Sequence, residues 1–387
     1  MIECNLQKQK INERKFTMEK LFKLKEHGTD VKTEIIAGIT TFLAMAYILA
    51  VNPSYLGGID GMSAGAVFSA TAISAGIATL CMAFFANYPV ALASGMGLNA
   101  FFAFTVCGAM GYSYKVALTA VFIEGIIFML LSLFKFREAL VNKIPSNLKF
   151  AITAGIGLFI AIIALLNANV VVASESTTVA LGELSSPTVV LSLVGLLIIG
   201  ALQHYKVPGG ILLGILITWV LGIIAQLVGW YVPNPEAGVY SVIPQFSLSS
   251  FEAPKMFQFD FGFIAKNVPA FILIVFTFLY TDIFDTVGTL IGVAEKGKLL
   301  DQDGSLPNAT GALMADAVGT VVGACLGTST VTSYVESSAG VAAGGYTCGI
   351  VLHIIDICTN LYINTFIRNN SCYALCWLVD AFINQTS

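Results

Sequence analysis

Long apolar runs recur along the whole chain and limit its fold more than any other feature. A helix needs about 20 apolar residues to cross the hydrocarbon core of a bilayer. Only 11% of the residues are charged, against about 25% in an ordinary soluble domain, which excludes the soluble class. We therefore predict an all-α polytopic membrane protein, with spans at 33–54, 64–86, 91–110, 114–134, 148–170, 187–203, 209–230, 263–294, 308–326 and 329–346.

The basic residues are unevenly distributed, which predicts the orientation of the spans. Eight of the 19 Lys and Arg residues precede residue 33, and four more lie in 135–149. The loops at 171–186 and 231–262 carry mainly Glu instead. Because cytoplasmic loops of membrane proteins are enriched in Lys and Arg, we expect a multi-pass protein of the cell (inner) membrane with a cytoplasmic N-terminus.

Two of the runs are poor candidates for continuous helices. ALASGMGLNAFFAFT (91–105) and TSTVTSYVESSAGVAAGG (328–345) are short and rich in Gly, Ala and Ser. If the first seven spans form one repeat and the eighth begins a second, these two segments correspond. Matching Gly-interrupted segments in two halves indicate a transporter binding site. Close helix packing through small residues is the alternative, but the embedded polar residues favour a cavity.

Acidic and amide side chains within these apolar runs are the candidate site residues. A charge at the centre of a membrane helix costs about 2.5–3.5 kcal/mol on insertion scales, so it usually has a ligand, a proton or a partner. We predict that Asp282 and Glu336 contact substrate, together with Asn99 and the aromatic ring of Phe101. Carboxylates, an amide and aromatic rings suit a flat heterocycle with several N–H and C=O groups.

Other polar residues have less defined roles. Asp285 lies three residues after Asp282, on the same helix face, and with Thr286 it either couples a proton or supports the site. Asp316 is interpreted as structural, and Glu124 is given no role. Because a buried carboxyl can exchange a proton, the sequence favours coupling to a proton gradient but does not identify the acid. No metal-ligand spacing or nucleophile–base pair is present, so we expect no metal, no cofactor and no enzymatic activity.

Four motifs resemble those of AzgA-like hypoxanthine/guanine permeases, in the nucleobase–cation symporter (xanthine/uracil permease) group. The resemblance covers about residues 18–345 and lies in GMGLNAFFAFT (95–105), AGIGLFIAIIALLNAN (154–169), TDIFDTVGTLIGVA (281–294) and ADAVGTVVGACLGTSTVTSYVESSAGVAAGG (315–345). It implies an inverted seven-span repeat fold with core and gate domains, and import of purine nucleobases (hypoxanthine and guanine, with adenine as a further candidate) by proton symport. The family's substrate residues fall on Asn99, Asp282 and Glu336, with Asp285 as the neighbour.

The resemblance also implies how the chain divides into domains, and it ends before the C-terminal tail. We expect a cytoplasmic basic N-terminus at 1–32, followed by the core part (33–135) and the gate part (136–262) of the first repeat. The core part of the second repeat lies at 263–346, and an atypical tail at 347–387. After residue 345 the sequence leaves the family pattern, which we interpret as an aberrant, truncated C-terminus that makes the second repeat incomplete.

Several alternatives to a working purine symporter stay open from the sequence. The first is an anion transporter or channel on the same fold, although central acids disfavour an anion. A membrane-embedded enzyme and an inactive truncated permease are the others. The expected partners are a purine nucleobase and the lipid bilayer, with no nucleic acid, and a homodimer is an open possibility for the assembly.

Overall fold

The predicted membrane helices make up most of the fold. The computed structural model describes residues 24–133, parts of 151–174, and residues 177–232 and 252–346, apart from 26–27, 206, 208–209 and 302–305. The helices are α1 (Val31–Met45), α2 (Ile48–Leu56), α3 (Ala64–Phe85), α4 (Met96–Ala100), α5 (Tyr114–Leu133), α6 (Pro187–His204), α7 (Gly210–Leu227), α8 (Gly262–Lys266), α9 (Val268–Gly297), α10 (Ala309–Leu326) and α11 (Ser337–Ala342). The strands are β1 (Leu92–Ser94), β2 (Val171–Ser174), β3 (Thr178–Leu181) and β4 (Val331–Ser333). A π-helical segment, Phe101–Ala109, continues α4.

The prediction of a polytopic helical protein is confirmed. Within the described part of the chain, six helical segments are long and apolar enough to cross a bilayer: α1 with α2, α3, α5, α6, α9 and α10. They correspond to predicted spans one, two, four, six, eight and nine. About half of the predicted fifth span, much of the N-terminal extension and the whole tail at 347–387 lie outside the described residues. The division into core and gate domains stays a prediction.

The third and tenth predicted spans are broken and cross each other. Each begins as a short strand and continues as a helix, β1 into α4 and β4 into α11. The strands pair antiparallel, with Leu92 opposite Ser333 and Ser94 opposite Val331. Since the strands run in opposite directions, α4 and α11 leave the crossing in opposite directions. The expectation of an all-α chain missed these strands, but the expected correspondence of the two segments agrees with their pairing.

Threonines on the flanking helices satisfy the outer edges of this two-stranded ribbon. Backbone groups at membrane depth need partners inside the protein. On α3, the Thr79 hydroxyl accepts the Leu92 N–H at 3.0 Å and lies 3.3 Å from the Leu92 carbonyl oxygen, to which it donates. On α10, the Thr320 hydroxyl donates to the Val331 carbonyl oxygen at 2.9 Å. The two halves therefore stabilise their strands by the same device.

Small residues let α10 approach α3 and α5 closely. A Cβ atom added at Gly319 would lie 2.7 Å from the Cβ of Ala78, and one at Gly125 would lie 2.8 Å from a methyl group of Val321. Lipid tails are as apolar as the side chains, so helices in membranes associate mainly through close packing. These glycines therefore hold the three helices that frame the crossing.

One face of the helical assembly is closed by the segment that precedes α9. The Lys255 ammonium donates to the Gly61 carbonyl oxygen at 2.8 Å. The Phe257 N–H donates to the Cys325 carbonyl oxygen at 2.8 Å. The end of α2, the end of α10 and the start of α9 therefore share one side.

The other face collects the opposite ends of the same spans. The amide of Asn308, before α10, donates to the Phe85 carbonyl oxygen at the end of α3, at 2.8 Å. The Tyr346 N–H donates to the Glu34 carboxylate in the first turn of α1, also at 2.8 Å. Successive spans thus alternate in direction, as the sequence predicts. The assignment of this face to the cytoplasm stays a prediction.

Helices α6 and α7 pack on each other, and α7 also contacts α1. Between α6 and α7 lies a groove of about 420 Å³, lined largely by apolar side chains and by residues such as Thr218 and Tyr231. None of the predicted site residues lines this groove, so we give it no part in the site. The hairpin of β2 and β3 precedes α6, with Val171 opposite Leu181.

Candidate functional site

The predicted site residues lie around the crossing of the two broken spans. Asn99 is on α4, just after β1, and Glu336 precedes α11, just after β4. Helix α9 passes beside the crossing and contacts β4, α4 and α11. It carries Asp282, Asp285 and Thr286. Residues from the two halves of the sequence therefore meet at membrane depth.

Asn99 connects α4 to the segment that leads into β4. Its side chain is fully buried, and its Oδ1 atom accepts a hydrogen bond from the Ser329 hydroxyl. Its Nδ2 atom is buried and makes no hydrogen bond to the described residues. A buried donor left without a partner costs about 1–3 kcal/mol. The amide is therefore a donor that a bound polar molecule could satisfy.

Phe101 belongs to an aromatic group on the α4 side of α9. Its ring meets the ring of Phe278 edge to face, with centroids 4.9 Å apart and planes 79° apart. Phe102 also contacts Phe278, with centroids 6.5 Å apart. The hydrogen bonding changes to the π-helical pattern at Phe101, and such π-helical segments often lie at functional sites.

Asp282 lies one helical turn after Phe278 and one turn before Thr286. Its side chain is fully buried, with 0% exposure. Asp285 is on α9 as well but is only partly buried. In this conformation the predicted substrate acid Asp282 is therefore enclosed, whereas its neighbour Asp285 is the more accessible of the two.

Glu336 is held between α9 and the first span. It is partly buried, and its Oε1 atom accepts a hydrogen bond from the Tyr47 hydroxyl. The helix α11 that follows it contacts both α9, which carries Asp285, and α1. The acid of the tenth span is therefore hydrogen-bonded to a phenol of the first span, next to the helix that carries the acids of the eighth.

Asp316 has hydroxyl partners on two neighbouring elements. It is fully buried on α10, and it accepts hydrogen bonds from Thr286 at 2.8 Å and from Ser333 at 3.3 Å. The hydroxyls of Thr286 and Thr332 are 2.9 Å apart. Since the single proton of Thr286 points to Asp316, Thr332 is the donor to Thr286. This chain joins α9, α10 and β4, as expected of a structural acid, and it gives Thr286 a supporting position.

Sequence reasoning missed two polar partners at the site, Tyr47 and Ser329. Neither has a sequence signal of its own, because Tyr is common in membrane helices and Ser329 lies within a run of hydroxyl residues. No group of three or more His, Cys, Asp or Glu residues that could bind a metal occurs in the part of the chain that the structure describes.

Comparisons with known proteins identify the family. Residues 32–359 match the xanthine/uracil permease family, described as "Permease family". The chain belongs to this permease family. The matched region covers most of the chain. It extends 14 residues beyond residue 345, after which we expect the sequence to leave the family pattern.

Several named relatives align with most of this chain. A putative permease of Methanocaldococcus jannaschii is 47% identical over 85% of the chain and 72% of its own length. The guanine/hypoxanthine permease PbuO of Bacillus subtilis is 46% identical, over 84% of the chain and 73% of its own length. The adenine permease AdeQ of Escherichia coli is 43% identical, over 88% of the chain and 73% of its own length. The family and the names of these relatives indicate a membrane transporter and not an enzyme.

Solved structures share its fold at low identity. The transmembrane domain of the cyanobacterial bicarbonate transporter BicA matches with a TM-score of 0.59 and 16% identity, covering 84% of this chain and 81% of that one. The murine anion transporter Slc26a9 matches with a TM-score of 0.53 and 10% identity, covering 85% of this chain and 56% of that one. At these identities the likeness concerns the fold alone, and it agrees with the predicted inverted-repeat transporter architecture.

Proposed function

We propose that this permease imports purine nucleobases, namely hypoxanthine, guanine or adenine, by proton symport across the cell (inner) membrane. The proposal takes its substrate class from relatives named as guanine/hypoxanthine and adenine permeases. The observation that carries it is that Asn99 and Glu336 follow the paired strands β1 and β4, while α9, which carries Asp282 and Asp285, contacts β4, α4 and α11. These residues offer an amide donor without a hydrogen bond to the described residues, and carboxylate acceptors.

The chemistry of a purine base fits this set of groups. The N–H groups of the base would donate to the carboxylate of Glu336, and after a rearrangement that opens its surroundings, to Asp282. The ring C=O or N atoms would accept from the amide of Asn99. The aromatic pair of Phe101 and Phe278 would pack against the flat ring system.

Proton coupling would use the two partly buried acids Asp285 and Glu336, which lie on α9 and directly before α11, two helices in contact. Two such acids would repel each other when both are charged, and a proton bound by either one would remove that repulsion. A base N–H that donates to Glu336 would change the same balance. The proton and the base would therefore influence each other's binding, which is the requirement for coupled transport.

The acids themselves provide the first test of this function. Glu336→Gln and Asp282→Asn, each in the full chain, keep the size of the side chain but remove its charge. We expect both variants to insert in the membrane in normal amounts and to lose uptake of labelled hypoxanthine.

Glu295→Gln is the matched control, because Glu295 is exposed near the end of the same α9 helix. It should leave uptake unchanged. Normal uptake by both the Glu336→Gln and Asp282→Asn variants would refute the assignment of the site.

A further inference from the structure

We infer that Tyr47 is a positioning residue, which orients the carboxyl group of Glu336 towards the transported base. The inference rests on the function proposed above and extends it to the first span. It starts from the hydrogen bond that the Tyr47 hydroxyl donates to the Oε1 atom of Glu336. These residues are 289 positions apart in the sequence.

Tyr47 lies where the first span is interrupted. Ala46 and Tyr47 separate α1 from α2. The Leu49 N–H donates to the Ala46 carbonyl oxygen at 3.1 Å, and the Ala50 N–H donates to that of Tyr47 at 3.0 Å. These bonds join residues three apart, which is the spacing of a 3₁₀ turn, and such a turn within a helix often marks a functional hinge. The phenol therefore projects from an irregular point of the span.

The ring of Tyr47 is fixed by the crossing itself. It packs against an apolar cluster that includes Met45, Ala93 of β1 and Tyr334. Tyr334 is fully enclosed in turn, and its hydroxyl donates to the Ser94 carbonyl oxygen at 2.5 Å. Because its ring rests on the paired strands, the Tyr47 hydroxyl has a defined position relative to the site.

This contact leaves one oxygen of Glu336 for a ligand. A carboxylate has two oxygen atoms, and each can accept hydrogen bonds. Tyr47 occupies Oε1, and this hydrogen bond limits the rotation of the carboxyl group. The Oε2 atom is therefore held in one direction, in which it can accept an N–H of the base. Without the phenol, the flexible side chain would lose this orientation.

Tyr47→Phe removes only the hydroxyl and keeps the ring in its apolar cluster. We expect the KM for hypoxanthine to rise about tenfold or more, as for a lost hydrogen bond to a charged group, with little change in the maximal rate. Tyr88→Phe is the matched control, because the Tyr88 hydroxyl is buried and makes no hydrogen bond to the described residues. It should leave KM unchanged.

Methylated bases separate a positioning role from a general loss of structure. The 1-, 7- and 9-methyl derivatives of hypoxanthine each remove one N–H or block one ring position. If Tyr47 acts through Glu336, the derivative that loses the N–H donated to Glu336 should bind weakly to both proteins. Tyr47→Phe should then weaken that derivative no further. If Tyr47→Phe weakens the binding of every derivative equally, or leaves the KM for hypoxanthine unchanged, the inference is overturned.

An infrared measurement makes this test independent of transport. The carboxyl band that disappears in Glu336→Gln reports Glu336, and Tyr47→Phe should shift it while Tyr88→Phe should not. If the wild-type chain takes up no purine, the proposed function fails, and a shifted band still supports the contact. An unchanged band overturns the role of Tyr47 whatever the uptake shows.

Discussion

Asp316 and Glu336 are both acids within apolar spans, yet their surroundings differ. Asp316 is completely buried and accepts hydrogen bonds from Thr286 and Ser333. Glu336 is partly buried and accepts a hydrogen bond from Tyr47. Charges in membrane spans need a partner, and for Asp316 the protein supplies it. Glu336 keeps capacity for a ligand.

The structural role assigned to Asp316 predicts a loss of stability when its donor is removed. Thr286→Val keeps the shape of the side chain but leaves a buried carboxylate without one hydroxyl partner. We expect the free energy of unfolding to fall by about 1–3 kcal/mol, which would lower the melting temperature of the protein in detergent.

Thr277→Val on the same helix is the control for this change. Thr277 is only partly buried, and its hydroxyl donates to the Leu273 carbonyl oxygen of its own helix. Its replacement should change the melting temperature little. Equal melting temperatures for Thr286→Val and Thr277→Val would contradict the structural role of the Asp316 network.

The sequence predicts the role of some site residues but not of others. Asp282 and Glu336 could be selected because a carboxylate in an apolar run is costly and therefore rare. Tyr47 and Ser329 could not, since a phenol or hydroxyl is ordinary in a membrane helix. Their partners lie 289 and 230 positions away, and only the folded chain brings them together.

At the level of elements, the two broken spans support each other. Paired strands β1 and β4 satisfy each other's backbone along their inner edges, and Thr79 and Thr320 satisfy the outer edges. The Gly-rich composition predicted that these segments would not be continuous helices. Their strands could not be predicted, because three-residue strands have no recognisable periodicity and form only when the two segments meet.

The position of α11 against the first span depends on the absence of a side chain at Gly340. A Cβ atom there would lie 2.6 Å from the Ala37 carbonyl oxygen and would also clash with the Thr41 hydroxyl. Since a backbone carbonyl cannot move aside, Gly340→Ala should displace α11. Overpacking of this kind costs about 1–3 kcal/mol, so we expect a lower melting temperature and weaker uptake of hypoxanthine.

Gly292→Ala is the matched control for Gly340→Ala. Gly292 lies in α9, and a Cβ atom added there would meet nothing within 4 Å. Because Ala favours a helix over Gly by about 1 kcal/mol, this variant should be as stable as the wild type or more so. A stable, active Gly340→Ala variant would show that α11 is not packed as described.

For the whole molecule, composition and apolar runs alone predicted a polytopic helical membrane protein, because long apolar runs leave few other folds. The pairing of the third and tenth spans agreed with the repeat that their positions indicated. The structure shows that successive spans run in opposite directions. The side of the membrane on which each face lies is predicted by the positive-inside rule alone. The structural likeness to bicarbonate and anion transporters concerns the fold, so the substrate has to be decided at the site.

The measurement that tests the central claim most directly is uptake of labelled hypoxanthine into proteoliposomes that contain the full chain, with and without an imposed inward proton gradient. We expect the gradient to drive accumulation, and unlabelled hypoxanthine to compete while sulfate and bicarbonate do not. Equal uptake with and without the proton gradient would contradict proton symport. Transport of sulfate or bicarbonate in place of hypoxanthine would contradict the assignment of the crossing as a purine site.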